Sequence, residues 1–172
     1  MTAADTPILL CYDGSDDSAA AIEAVAPLFA GAPAVVACFW QPFAQVAKRF
    51  AVSLLEVVQD APTVNAREAQ LAQERAEHGA SIARAAGLDA EPRAIEVSAP
   101  IDEAIIAYAE EIDAPLIVVG SRGRSGIGSM LLGDVSHDVL QRATRMVLVV
   151  PSPRLSGRRR DELATGKQSR NP

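Results

Sequence analysis

The sequence predicts an α/β fold in which helices cover both faces of an open, parallel, five-stranded sheet. Five short apolar runs are bounded by turn residues, and the segments between them carry apolar residues at helical spacing. Strands that alternate with helices in this way are typical of a parallel sheet with crossover helices. The predicted strands are ILLCY at 8–12, AVVACFW at 34–40, PRAIEV at 92–97, PLIVV at 115–119 and MVLVV at 146–150.

The composition of each run supports its assignment as a strand. Four runs are almost continuously apolar, as strands buried on both faces of a parallel sheet are. The run at 92–97 alternates more between apolar and polar residues and is expected nearer an edge. Pro151 directly follows the last run and is expected to end it.

Helix signals lie between the first three runs. Residues 16–18 can cap a first helix, which Pro27 is expected to kink or shorten. The segment NARE at 65–68 has the layout of a capping box. A second helix is therefore predicted to begin at Asn65 as its N-cap and to end before Gly87, a residue typical of helix C-termini.

Three more helical patterns follow from spacing alone. Val46, Phe50 and Leu54 are four residues apart and suggest an extra helix after the second strand. Apolar residues at helical spacing also predict helices within 101–112 and 135–143, one before and one after the fourth strand.

Charge divides the chain into a body and a tail. The 172 residues carry a net charge of −6, but the residues from Ser152 onward carry +4, which leaves −10 on residues 1–151. An acidic body argues against a nucleic-acid partner, because neutralising phosphates supplies most non-specific affinity. We expect one domain over 1–152 and a basic, disordered tail over 153–172, since the tail lacks a periodic apolar face.

Several classes of protein are excluded by what the sequence lacks. It has no apolar run of 18 residues and no signal-peptide pattern, so neither membrane insertion nor secretion is expected. Cys11 and Cys38 lack the CxxC spacing and are expected to be buried thiols. No metal-ligand cluster is evident. These observations predict a cytoplasmic protein.

Two polar loops follow strands that are expected to be central. DGSDDS follows the first strand, and the glycine-rich GSRGRSGIGSMLLGDVSHDVL begins at Gly120, after the fourth. Ligands of open α/β sheets bind beyond the carboxyl ends of the strands, where the winding reverses. Successive backbone N–H groups in a glycine-rich turn, together with the start of the next helix, favour an anion. A binding crevice between the two loops is therefore expected.

The glycine spacing in this region resembles that of the nucleotide-binding universal stress proteins. Gly120-x2-Gly123-x9-Gly133 matches the family pattern, and YDGS after the first strand is similar to the family's opening segment. The last strand is rich in Val and ends in Pro, as in the family. The likeness covers roughly residues 6 to 152 in order and leaves out the tail and much of 42–63.

The resemblance implies a Rossmann-like fold, similar to that of the adenine nucleotide alpha hydrolases, with strand order 3-2-1-4-5. It also implies a homodimer through the fifth strand, and in one branch of the family an adenine nucleotide: ATP, with Mg²⁺ where required, or AMP or cyclic AMP. The implied function is a dimeric, nucleotide-binding stress-response protein with little or no hydrolysis. The implied dimer interface consists of Met146, Val147, Leu148, Val149 and Val150.

The family's site residues can be carried over where the motifs match. The acidic residue of YDGS corresponds to a contact with the nucleoside, the residue near the end of strand two to a contact with adenine, and the glycine loop to the phosphate contacts. The implied nucleotide-binding residues are Cys11, Tyr12, Asp13, Phe39, Val119, Gly120, Arg122, Gly123, Gly133, Asp134, Val135 and Ser136.

Physical chemistry supports two of these roles independently of the family. A carboxylate at Asp13 can accept hydrogen bonds from ribose hydroxyls, as acidic residues do in dinucleotide sites. The helix that begins near Gly133 offers free N–H groups and a partial positive charge to a phosphate. Arg122 and Arg124 could add full positive charges.

Two residues depart from the family pattern. The residue after the third glycine is Ser or Thr in the nucleotide-binding pattern but Asp134 here. A hydroxyl can donate to phosphate, whereas a carboxylate repels it, and Asp is also a preferred N-cap that could fill the anion site itself. Phe39 is larger than the family's small apolar residue and could crowd the adenine.

Two alternative functions therefore stay open. One is a stress protein of the same fold that binds no nucleotide because Asp134 blocks the phosphate position. The other is an ATP pyrophosphatase, since DGSDDS is similar to the SGGxDS loop of those enzymes, although its first residues differ. No catalytic residue is assigned, because His78 and His137 are both expected at the surface.

Overall fold

Five parallel strands form a single sheet in the order β3-β2-β1-β4-β5, as predicted. The computed structural model describes residues 6–43, 45, 61–121, 133–153, 156–157 and 160. β1 and β4 lie next to each other at the centre, and β3 and β5 form the two edges. The strands are β1 (Ile8–Cys11), β2 (Pro33–Trp40), β3 (Asp89–Glu96), β4 (Leu116–Gly120) and β5 (Met146–Val150).

Helices cover both faces of this sheet, and each face has its own apolar core. Alternate residues of a strand point to opposite faces, so Leu10 packs beneath the first two helices and Leu9 beneath the last two. Both side chains are fully buried. The helices that pack on the sheet in the described part of the chain are α1 (Asp16–Val25), α2 (Ala61–Ala85), α3 (Ile101–Glu111) and α4 (Asp134–Arg142).

The ends of two helices follow their sequence signals. α1 stops at Val25 and continues as a 3₁₀ turn, Ala26–Phe29, that contains Pro27. Proline removes a helical donor and collides with the preceding turn, so the predicted shortening of this helix is confirmed. Gly87 adopts a φ of +99° just beyond α2, and the next amide, of Leu88, donates to the carbonyl of Ala83. This arrangement is a Schellman motif, which confirms the predicted C-terminal signal.

The predicted start of the second helix is wrong. Asn65 lies inside α2 and is not its N-cap. Its side-chain Oδ1 instead accepts a hydrogen bond of 2.7 Å from the backbone N–H of Phe43. The capping-box pattern describes only local sequence, whereas Asn65 makes a contact with the segment that leaves β2.

β3 is longer than predicted, and it keeps a proline inside the strand. The strand begins at Asp89, three residues before the predicted start, and contains Pro92 opposite Val36 of β2. Proline is tolerated in a strand mainly at an edge, where no donor is needed on the outer side. Its position agrees with the expectation that this strand lies at an edge of the sheet.

Two predictions fall wholly or partly outside the described residues. The extra helix suggested by Val46, Phe50 and Leu54 lies outside them. In the predicted tail, the described residues Pro153, Ser156–Gly157 and Arg160 have helical backbone. The domain boundary at 152 and the disorder of the tail stay predictions.

Candidate functional site

The candidate site lies at the carboxyl ends of β1 and β4. These strands pair with Leu10 opposite Val118, so the chain leaves both of them at the same edge of the sheet. After β1 the chain continues to β2 on one side of the sheet, and after β4 it continues to β5 on the other side. The direction of winding therefore reverses between β1 and β4. Such a reversal opens the crevice in which α/β proteins of this class bind ligands.

The loop after β1 holds the carboxylate of Asp13 in a defined position. Its Oδ1 accepts hydrogen bonds from the backbone N–H of Ser15 at 3.0 Å and from its Oγ at 2.6 Å. Ser15 is also the N-cap of α1, where its side chain accepts from the N–H of Ser18 at 3.2 Å. Gly14 between them has a φ of +85°, a conformation that favours glycine. The half-buried carboxylate is therefore oriented by the same turn that starts α1.

The start of α4 has no side-chain cap. Gly133 is its N-cap residue, with extended backbone and no side-chain hydrogen bond to the first turn. The first N–H groups of a helix have no partner within it, and the end carries a partial positive charge. The expectation that Asp134 caps this helix is wrong, because Asp134 is the first helical residue and its side chain is exposed. The anion-binding character of the backbone at this end is thus retained.

Three buried serines connect the ends of β4 and β5 to α4. The N–H of Ser121 donates to the carbonyl of Val150 at 2.8 Å, and its Oγ accepts from the N–H of Ser152 at 3.1 Å. Its carbonyl accepts from the N–H of Gly133 at 2.7 Å and lies 3.2 Å from the hydroxyl of Ser136. Ser121 is therefore bonded to the start of α4 and to the end of β5.

Ser136 uses its hydroxyl within the protein. The Oγ lies 2.9 Å from the carbonyl of Gly133 and 3.2 Å from that of Ser121, so the single hydroxyl proton points towards these two acceptors. The side chain is buried. In this geometry Ser136 stabilises the first turn of α4.

Cys11 and Tyr12 point to opposite faces at the end of β1. The ring of Tyr12 is buried beneath α2, so close to Gly79 that a Cβ at that position would lie 2.8 Å from the ring. Cys11 packs on the other face with the core of α3 and α4. Burial raises the pKa of the Cys11 thiol, and the negative charge of Asp13 raises it further, so the thiol stays protonated at neutral pH.

Phe39 packs against α3 near the end of β2. Its ring makes an edge contact with Tyr108, with the ring centres 6.1 Å apart and an angle of 80° between the planes. Val119, by contrast, is almost fully buried in the same core. An aromatic pair of this kind fixes the orientation of both rings, so Phe39 has a defined position beside the crevice.

The remaining residues implied by the family resemblance are placed as follows. Gly120 ends β4 opposite Val150. Val135 lies in the first turn of α4 and is 40% exposed. Arg122 and Gly123, like Arg124, lie outside the described residues.

Sequence reasoning missed three serines of this region: Ser15, Ser121 and Ser152. Each follows soon after the end of a strand. A serine at such a position can bond to backbone groups that leave the sheet, and that position is the only signal that could have identified them. A lone serine lacks periodicity, so the signal is weak.

The arrangement can bind a polar molecule that has hydroxyl groups at one end and a negative charge at the other. Asp13 provides an oriented acceptor, and the backbone amides at the start of α4 provide donors. In the part of the chain that the structure describes, no three His, Cys, Asp or Glu side chains are grouped to hold a metal ion. The two described histidines, His78 and His137, are exposed, as expected.

The fold defines a doubly wound α/β protein with a crevice at the carboxyl ends of its two central strands. The sequence model of the universal stress protein family matches residues 6–151. The chain therefore belongs to the universal stress protein family, as the glycine spacing indicated.

Curated relatives support the family over shorter segments. Universal stress protein YxiE of Bacillus subtilis is 54% identical over 46 residues, which are 27% of this chain and 31% of that protein. The aligned segments cover 31%, 65% and 29% of three such relatives. The chain thus matches less than two thirds of the length of each.

Solved structures match over nearly their whole length. The universal stress protein from Archaeoglobus fulgidus is 25% identical, with a TM-score of 0.62 over 84% of this chain and 98% of that one. A universal stress protein in complex with cAMP is 26% identical, with a TM-score of 0.57 over 86% of this chain and 98% of that one. These matches confirm the fold class.

Among the described residues, no helix has the length and apolar character needed to cross a membrane.

Proposed function

We propose that this protein binds an adenine nucleotide in the crevice between β1 and β4 and acts in stress response as a binding protein with little or no hydrolysis. The observation that carries the proposal is the likeness to the universal stress protein in complex with cAMP, which extends over 98% of that chain. The ligand class is therefore an adenine nucleotide: AMP, cyclic AMP or ATP, the last with Mg²⁺.

The geometry of the crevice supports this ligand class. The oriented carboxylate of Asp13 suits the hydroxyls of a ribose. The uncapped start of α4, at Gly133, suits a phosphate. Phe39, held against Tyr108, offers an aromatic surface on which a base could stack.

The other residues complete the proposed site. Cys11 and Val119 would form apolar walls at the ends of the two central strands. Gly120 and Gly123 would allow the backbone to approach the phosphate, and Arg122 would add positive charge. Tyr12, whose ring is buried beneath α2, would contribute through its backbone.

We also propose a homodimer in which β5 pairs with its twofold mate. β5 is an edge strand of apolar sequence, and Met146 at its start is 67% exposed. An unprotected apolar edge invites pairing with another chain. The cytoplasmic location stays a prediction from the sequence, and the homodimer stays what the family resemblance implies.

Mass spectrometry of small molecules released from the purified protein tests the proposed ligand. We expect AMP, cyclic AMP or ATP to be retained, or micromolar binding of one of them in calorimetric titration. An apparent dissociation constant above about 1 mM for all three, with or without Mg²⁺, would contradict nucleotide binding.

One observation favours a second candidate, a stress protein of the same fold that binds no nucleotide. Asp134 places a carboxylate in the first turn of α4, where a phosphate would lie. Two like charges about 4 Å apart repel by roughly 1 kcal/mol in water and more where water is excluded. If all three nucleotides fail to bind the natural protein but bind once this charge is removed, the second candidate is correct.

A further inference from the structure

Ser121 is the residue through which the end of β5 reaches the proposed nucleotide site. Two of its groups bond to β5 and its continuation: its N–H to the carbonyl of Val150 and its Oγ to the N–H of Ser152. Its carbonyl bonds to the N–H of Gly133, the N-cap residue of α4. Ser121 thus joins two segments that both lie more than ten residues further along the chain, one at Gly133 and one at Val150 to Ser152.

Of the three groups of Ser121 that form these hydrogen bonds, the hydroxyl is the one that belongs to the side chain. Ser121 is 3% exposed and Ser152 is 2% exposed, so water does not readily replace either partner. A buried backbone N–H is costly to leave without an acceptor. Removing the hydroxyl would therefore take away the acceptor of the Ser152 N–H, while the backbone bond from Ser121 to Val150 would be kept.

We propose that the Ser121 hydroxyl is a positioning group for the first turn of α4. By bonding to the N–H of Ser152 it fixes the backbone of Ser121, and the carbonyl of Ser121 in turn fixes Gly133. The direction of the amides at the start of α4 then depends on the end of β5. Ser121 acts through these groups and does not touch the nucleotide. The proposal rests on the proposed function.

The test compares Ser121→Ala with Ser152→Ala. Each variant removes one buried hydroxyl from the same region. Only Ser121→Ala removes the acceptor of the Ser152 N–H, because Ser152→Ala keeps both the backbone N–H of residue 152 and the Oγ of Ser121. Amide hydrogen exchange and calorimetric titration with AMP are measured at a temperature well below unfolding. These readings separate local positioning from a general loss of stability.

In Ser121→Ala we expect weaker binding of AMP and faster exchange at the amides of Ser152, Gly133 and His137. The N–H of His137 reports on Gly133 because it donates to the carbonyl of Gly133 at 2.9 Å. Loss of one net hydrogen bond corresponds to roughly a two- to tenfold change in the exchange rate and in the dissociation constant for AMP. In Ser152→Ala we expect the exchange of Gly133 and the affinity for AMP to stay within about twofold of the natural protein.

The outcomes separate this inference from the proposed function. If the natural protein binds AMP and Ser121→Ala binds it equally, with unchanged exchange at Gly133, the positioning role is wrong and the proposed function stands. If the natural protein binds no nucleotide, the proposed function fails, and the exchange at Gly133 and His137 still decides whether Ser121 positions α4. If Ser121→Ala does not fold, Ser121→Cys replaces it, since sulfur is similar in size but a weak acceptor. Unchanged exchange in that variant overturns the inference.

Discussion

Asp134 is the residue that most directly decides what the crevice can bind. It occupies the first position of α4, next to backbone amides that favour an anion. A carboxylate there stabilises the helix through its dipole, yet it has no proton to offer a phosphate. The same residue therefore favours folding of α4 and opposes a polyphosphate beside it.

Asp134→Ser is expected to strengthen ATP binding by roughly 5- to 150-fold, because it removes a like charge and adds a hydroxyl donor. AMP should gain less, since it carries fewer negative charges. Calorimetric titration of both proteins with both nucleotides checks this. Asp138→Ser, one turn further into α4, removes the same charge away from the helix start and serves as the control. Equal ATP affinity in Asp134→Ser and the natural protein would show that the carboxylate points away from the phosphate.

Gly79 shows how a packing requirement can outweigh helix propensity. Alanine in place of a helical glycine gains about 1 kcal/mol in propensity. A Cβ at Gly79, however, would lie 2.8 Å from ring atoms of Tyr12 and from Cγ1 of Val36. Both neighbours are buried and belong to the core around β1, so neither can easily move.

Gly79→Ala is therefore expected to lower the free energy of unfolding by about 1–2 kcal/mol and the melting temperature by roughly 2–8 °C. Thermal unfolding followed by circular dichroism measures the shift. Gly157→Ala is the matched control, since Gly157 is also helical and a Cβ there would meet nothing within 4 Å. A rise in melting temperature for Gly79→Ala would mean that Tyr12 moves more easily than its burial implies.

Among the elements, α3 is held against α4 and against the segment before β5 by ion pairs from two arginines. Arg142 in the last turn of α4 pairs with Asp102 at 2.7 Å and with Glu103 at 3.0 Å. Arg145, just before β5, pairs with Glu110 at 2.6 Å and with Asp113 at 2.8 Å. The four ion pairs of these two arginines hold both ends of α3, so α3, α4 and β5 are fixed relative to one another.

The pair between Glu110 and Arg145 predicts a specific pH dependence of stability. The hydrogen bond from Arg145, followed by that from Thr144, lowers the pKa of Glu110 from 4.5 to about 2. Because the folded state binds this proton less readily than the unfolded state, the stabilisation is fully present above about pH 4.5. It is lost as the pH falls through that value towards 2.

We expect Glu110→Gln to be less stable than the natural protein at neutral pH and the difference to shrink towards zero between pH 4.5 and 2. Urea unfolding at several pH values measures it, and added salt should reduce it because Glu110 is exposed. Glu111→Gln, the next residue in α3, provides the control for a change of charge alone. A difference that persists unchanged at pH 2 would contradict the assigned pairing.

The elements could be predicted from sequence to the extent that their signals are periodic. Four of the strands are nearly continuous apolar runs and β3 alternates between apolar and polar residues, so all five were found. Gly87 and Pro27 were read correctly because each acts on its own backbone. Asn65 was misassigned because its partner, Phe43, is 22 residues away. The same reason hides Ser121 from sequence analysis, since its bonds to Gly133 and Ser152 exist only after the sheet has formed.

At the scale of the whole molecule, the alternation of hydrogen-bonding groups along β5 determines how a dimer could form. The carbonyl of Val150 accepts from Ser121 and so faces β4. In a parallel pair the N–H and C=O of alternate residues face the same neighbour, so Leu148 also faces β4. Val147 and Val149 must then present their backbone groups to the open edge.

Val149→Pro is therefore expected to yield a folded monomer, because proline removes a donor only on the outer side of β5. Leu148→Pro, its control, should instead break the ladder to β4 and give unstable or insoluble protein. Light scattering and circular dichroism at micromolar concentration measure both properties. A dimeric Val149→Pro, or a natural protein that is monomeric, would contradict pairing through β5.

Pro92 in the opposite edge strand sets a limit on assembly. β3 carries this proline together with Asp89, Glu91 and Glu96, so it offers an interrupted and acidic edge. A dimer joined through the two β5 strands would have a continuous sheet of two subunits with a β3 strand at each end. A third chain would meet no edge able to extend the ladder. Growth would stop at a closed, twofold-symmetric pair, so the same apolar strand that makes association favourable would not lead to fibres.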